Sequence, residues 1–124
     1  MTMRTTVVCA TLILMALGCN RSSSGSGASG GGAAEAQQIF TSRCATCHGQ
    51  EGTGDGPAGA ALTPRPRNFH DGAWQASVTD DQIDRVIREG GAAIGKSPLM
   101  PPNPDLASRP EVVVALRQRV RAYR

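Results

Sequence analysis

Aromatic side chains are scarce in this chain: one tryptophan, one tyrosine and two phenylalanines in 124 residues. So few large rings leave a sparse core and no stacking platform of the kind that single-stranded nucleic acid needs. Charge of one sign is lacking too, with 13 basic residues set against 10 acidic ones and no basic stripe, which argues against a nucleic-acid partner. No segment alternates apolar and polar residues as a half-buried strand does. A calcium-loop spacing is absent from the acidic positions Glu51 and Asp55. The run Gly52-x-Gly54-x-Gly56 lacks the strand-to-helix setting and final spacing of a dinucleotide fingerprint.

Long apolar runs are limited to the first residues. Arg4 supplies a short positive start, and Thr5 to Leu17 is a largely apolar stretch of signal-peptide length, too short to span a bilayer comfortably. It ends in Ala16-Leu17-Gly18-Cys19, which resembles a bacterial lipoprotein signal cut before Cys19, with that thiol lipidated. Residues 1–18 are therefore expected to be a signal peptide; ordinary cleavage nearby, leaving a soluble exported protein, is the alternative. Residues 19–32, rich in glycine and serine, cannot build a core and are expected to form a flexible tether from the lipid anchor. Residues 33–124 remain for one small domain, of a size that often needs a staple or a cofactor.

Cysteine is the other telling scarcity. Of four cysteines, Cys9 falls in the leader and Cys19 at its end, which leaves Cys44 and Cys47. They stand in Cys44-Ala45-Thr46-Cys47-His48, the C-x-x-C-H order of covalent haem attachment. Two thiols three positions apart on a helical turn share one side of the backbone, and each can add to a haem vinyl group. His48 then meets the iron as proximal axial ligand. A structural zinc site would need about four ligands, and the only other cysteines, Cys9 and Cys19, lie in the leader. A thioredoxin-like dithiol would need alternating strands and helices, which are missing.

The expected fold is all-α, with three or more helices joined by long loops. A first helix is expected from about Ala34 to Thr46, with Ile39 and Phe40 facing inward. Thr79-Asp80-Asp81-Gln82 reads as a capping box that opens a second helix; Ile83, Val86 and Ile87 form its apolar stripe and Gly90-Gly91 ends it. Ser108-Arg109-Pro110-Glu111 reads as another capping box before a third helix, whose inner face would be Val113, Leu116, Val120 and Tyr123. Arg117, Arg119, Arg121 and Arg124 read as a solvated cationic face near its C-terminus. Glycine- and proline-rich loops from Gly49 to Trp74 and from Gly90 to Ala107 are long for a compact domain unless they serve a site.

With the leader removed, Met100 is the last methionine left, in the rigid segment Ser97-Pro98-Leu99-Met100-Pro101-Pro102. That segment has no helix or strand face from which a methionine would fill a core, so Met100 is the preferred distal ligand. His70 and an open distal face are the alternatives.

On the C-A-T-C-H motif behind an N-terminal helix, the proline-flanked Met100 and a closing helix, the chain resembles a class I cytochrome c over Ala34 to Tyr123. The resemblance implies a small all-α domain around one haem c, covalently held through Cys44 and Cys47, with His48 and Met100 on the iron. It implies haem attachment outside the bacterial plasma membrane, which suits the export signal. It further implies that a proline carbonyl in Pro64-Arg65-Pro66-Arg67-Asn68-Phe69 accepts the Nδ1 proton of His48, with Pro64 the choice, and that the first and last helices pack together, Phe40 against Tyr123 or Leu116. Arg67 and Trp74 are open between holding a haem propionate and ordinary packing or solvation. The expected function is a membrane-tethered, periplasmic carrier of single electrons between redox protein partners, not an enzyme. A peroxidase-like haem enzyme or sensor with an open distal site, or a haem subunit of a larger oxidase or dehydrogenase, are the competing readings.

Overall fold

The computed structural model describes residues 27–124; the expected signal peptide, Cys19 and the first part of the tether lie outside the described residues. Within them the chain is helical and without strands. Helix α1, Gly27–Ile39, passes through a π-helical turn, Phe40–Cys44, directly into α2, Ala45–His48. After a long loop come α3, Gly72–Ser77, and α4, Asp80–Glu89. Two 3-10 turns, Ala92–Ile94 and Pro104–Leu106, punctuate the next loop before α5, Pro110–Arg121.

The first and last helices pack against each other and α4 lies against α5. Ala36, Ile39 and Phe40 meet Val112, Val113, Leu116 and Val120 in one core, joined by Ile83, Ile87, Leu106 and Phe69. Phe40, Leu106 and Val112 are almost completely buried, each contributing on the order of 1.5–3 kcal/mol. The Phe40 and Tyr123 rings lie 6.2 Å apart, the expected contact between first and last helices.

The second helix opens as the sequence predicts. The Thr79 hydroxyl accepts from the Gln82 amide and the Gln82 side chain accepts from the Thr79 amide. Three other expectations need correction. Helix α1 begins at Gly27, so part of the expected tether is helical; glycine costs a helix up to about 1 kcal/mol each, and tertiary contacts offset this. Buried Gly32 lies against Glu111, and Glu35 pairs with Arg109 at the start of α5. Helix α5 has no capping box: Arg109 is its N-cap, without a side-chain cap, and Pro110 sets the first turn.

Arg117, Arg119 and Arg121 are not a solvated face, whereas Arg124, past the end of α5, is exposed. Arg119 stacks 4.1 Å over the Phe40 ring. Arg117 reaches Asp80 at 3.3 Å and Asp84 at 3.4 Å. Arg121 folds inward onto Gln75, Val78 and Asp80. A guanidinium carries five donors in a fixed fork, and the carbonyls and carboxylates of α3 and α4 meet them.

Candidate functional site

Cys44 closes the π-helical turn and Cys47 and His48 end α2, so the motif sits at a helix C-terminus. The last four carbonyls of a helix lack intrahelical partners. Here the glycine-rich loop that follows supplies them all. Gly49 N–H donates to Ala45 O (2.9 Å), Ala58 to Thr46 O (2.9 Å), Gly56 to Cys47 O (3.1 Å) and Gly54 to His48 O (2.8 Å). The loop can lie this close only without side chains. A Cβ on Gly56 would stand 2.5 Å from both Ala45 O and Thr46 O, and Gly54 has φ +82° against the Pro66 carbonyl. Gly54 and Gly56, two of the glycines whose spacing excludes a dinucleotide site, thus clamp the motif's backbone.

His48 is buried, and its Nδ1 lies 3.1 Å from the Arg67 carbonyl. A carbonyl only accepts, so Nδ1 carries the proton and Nε2 keeps the lone pair a metal needs. Burial pushes the imidazole pKa down, and the Arg67 carbonyl opposes this more weakly; the ring stays neutral at physiological pH. Burial also pushes the Cys44 thiol up, against smaller opposing effects of Arg43 and Arg119. The acceptor corrects the expectation for Pro64. That residue is exposed after a cis Thr63-Pro64 bond, and the loop turns its Arg67 carbonyl, three residues later, onto the ring.

The Phe69 ring stacks on His48, centroids 4.6 Å apart and planes 15° apart. Phe69 in turn contacts Trp74 at 5.8 Å and Tyr123 at 5.9 Å. The Arg67 guanidinium lies 5.7 Å over Trp74 and pairs with Asp71, which caps α3. His70, the rival ligand, is exposed; its Nε2 lies 2.7 Å from the Glu51 carbonyl.

Met100 is half-buried on the other long loop. Its carbonyl accepts from Gly91 N–H at 3.0 Å, and a Cβ on Gly90 would come within 2.8 Å of that same oxygen. Asn103 fastens the loop to the end of α4, its amide donating to Arg88 O at 2.9 Å and its Nδ2 to Ile87 O at 2.7 Å. Arg43, beside Cys44, pairs with Asp105 at 2.9 Å. The methionine segment is therefore tied both to α4 and to the turn that carries the first motif cysteine.

These residues suit a large flat cofactor. Two thiols without a disulfide stand in attachment spacing before a neutral imidazole with its Nε2 lone pair available. Leu62, Val86, Ile94 and Met100 are only half-buried, and Leu99 is 52% exposed, so apolar surface remains that the protein's own core does not cover. No group of three or more metal-ligating side chains occurs among the described residues, so the donor set does not suit a protein-only metal cage.

The family model for cytochrome c matches residues 33–111, more than half of the chain. The chain belongs to the cytochrome c family. As a class I cytochrome c it binds haem c covalently through Cys44 and Cys47 and serves electron transfer. The comparisons with characterised proteins and with solved structures gave no match. No helix among the described residues is long and apolar enough to cross a membrane. Sequence reasoning placed the segment from Pro64 to Phe69 beside the haem but missed the stacking of the Phe69 ring and the role of the Arg67 carbonyl, and it missed Gln75 altogether. The apolar Phe69 closing a proline-rich run was the one available signal.

Proposed function

We propose that this cytochrome c is a carrier of single electrons, not an enzyme, with His48 and Met100 as the axial ligands and with Cys19 lipidated at the outer face of a bacterial membrane. The observation that carries the reading is the His48 ring, directly after the attachment cysteines, neutral and with Nδ1 held by a backbone carbonyl. The bound haem supplies a one-electron iron couple whose potential is raised by His/Met ligation. The protein's part is to hold and cover it. The glycine loop fixes the motif, the Arg67 carbonyl orients the imidazole, and Asn103 and Gly91 hold the methionine loop. A thioether on an anchored loop suits a closed distal side, which disfavours peroxide chemistry. Redox proteins are the partners of such a carrier, and the lipid anchor keeps it near membrane-bound ones.

A pyridine haemochrome assay on exported protein is expected to give one c-type haem per chain. The ferric form is expected to show the weak far-red band of sulfur ligation, lost in Met100→Ala together with a lower potential. A high-spin ferric wild type that binds cyanide readily overturns the carrier reading. Fatty-acid labelling that survives Cys19→Ala overturns the anchor.

A further inference from the structure

Two features leave the His48 imidazole with little freedom to rotate. Its Nδ1–H is fixed on the Arg67 carbonyl, and its face is covered by the Phe69 ring at 4.6 Å with planes nearly parallel. Phe69 is itself held at both backbone polar atoms. Its N–H donates to Gly52 O at 2.8 Å, and its carbonyl accepts from Gln75 Nε2 at 2.8 Å. Behind the ring, a Cβ on Gly52 would lie 2.8 Å from Phe69 Cδ2, so the loop backbone is pressed against it.

Gln75 is the unusual member of this arrangement. It is one of two buried polar residues among those described, the other being His48. Its two amide hydrogens go to Phe69 O at 2.8 Å and Val120 O at 2.9 Å, and its Oε1 accepts from Arg121 at 3.0 Å. A buried glutamine is costly unless its polar atoms are hydrogen-bonded, and one that is satisfied makes rigid the groups it joins. What it fixes is the distance between the last turn of α5 and the loop that stacks on His48.

We infer that Phe69 is a positioning residue that sets the plane of the His48 imidazole, and that Gln75 holds Phe69 in that place from the end of α5. This rests on His48 being the axial ligand, as proposed above. The plane of an axial imidazole decides how unpaired spin distributes over the haem, so the relay acts on the ferric electronic structure and not only on folding. Buried partners around a metal-ligating histidine are a known means of tuning the metal.

The test is NMR of the intact holoprotein. In the reduced wild type, ring protons of Phe69 and His48 are expected to show mutual Overhauser contacts; their absence overturns the proposal without any variant. In the ferric form, Phe69→Leu is expected to change the order or spread of the hyperfine-shifted haem methyl resonances. Gln75→Leu, at a side chain that bonds the Phe69 carbonyl rather than either stacked ring, shifts them in the same sense but less. Phe69→Tyr, which keeps the planar ring, returns the wild-type pattern. Methyl patterns unchanged in Phe69→Leu and Gln75→Leu, recorded well below their unfolding midpoints, overturn the positioning role even where stability falls. Selective labelling of histidine separates the two readings. Without a hyperfine-shifted His48 ring in the wild type, the ligand assignment fails; with it but with immobile methyl patterns, only the positioning role fails.

Discussion

Replacing Arg121 with alanine removes one guanidinium that serves both α3 and α4. It donates to the carbonyls of Gln75 and Val78, each at 2.8 Å, to Gln75 Oε1 at 3.0 Å, and to Asp80 Oδ1 from two nitrogens at 2.8 and 2.9 Å. The two carbonyls lie at the C-terminal end of α3, where helix acceptors lack partners of their own. Hydrogen bonds to charged groups contribute about 1.5–3 kcal/mol each, and water reaching the truncated site favours the low end, giving a loss of about 3 kcal/mol. For a domain of this size that lowers Tm by roughly 15 °C. Asp80, by contrast, is more than half exposed, so its ion pair adds little. Asp80→Asn is therefore expected to cost much less than Arg121→Ala, and Arg121→Lys, a point charge without the fork, to recover about a third of the loss. Urea unfolding of the holoprotein, with an unchanged slope, measures all three. An Arg121→Ala loss no greater than that of Asp80→Asn would show that charge pairing, not carbonyl capping, is what Arg121 supplies. The pH dependence adds a sign. The hydrogen bond from Arg121 holds the Asp80 carboxyl below its ordinary 3.8, so its contribution is present above that pH and fades as pH falls through the lowered value. Asp80→Asn flattens that acid limb.

Other perturbations follow from the same geometry. Gly56→Ala forces a methyl against Ala45 O and Thr46 O and is expected to cost about 1–3 kcal/mol, with a reduced yield of haem-loaded protein in a haemochrome assay. Asn103→Ala leaves the Ile87 carbonyl without its side-chain donor; a loss of about 1–2 kcal/mol in urea unfolding is expected, with amide exchange by mass spectrometry quickened more at Gly91 and at position 103 than elsewhere. Asp84 has one buried oxygen without a partner, and burial raises its pKa; stability should therefore rise as pH falls through that raised value, and Asp84→Asn should remove this rise without loss at pH 7 in thermal scans. A marked loss in that variant would mean that the Arg117 contact outweighs the burial.

The sequence made the cofactor chemistry and the helix signals legible because each is written in side chains close together. Cys44, Cys47 and His48 declare themselves by spacing, and Thr79 with Gln82 by a local hydrogen-bond pattern. What it did not disclose rests on backbone groups meeting at long range. The Arg67 carbonyl, not that of Pro64, reaches His48 because the loop's path decides which oxygen points inward, and a carbonyl has no residue-type signature. The inward turn of Arg119 and Arg121 was hidden for a related reason: an arginine near a helix end looks the same in sequence whether it faces water or a neighbouring helix. The glycines at 54 and 56 were visible, but their use was not, since close approach needs a partner that only the fold supplies.

The single tryptophan of the chain, Trp74, stands one ring away from His48, with Phe69 between. Its indole, on α3, is thus an optical gauge set against the ring that stacks on His48. Haem absorbs where tryptophan emits, so fluorescence is dark while the loop is closed and brightens as Trp74 moves away from the attachment site. With no second indole to confuse the signal, movement of α3 and the Phe69 segment away from His48 can be timed apart from melting of the longer helices, which circular dichroism follows.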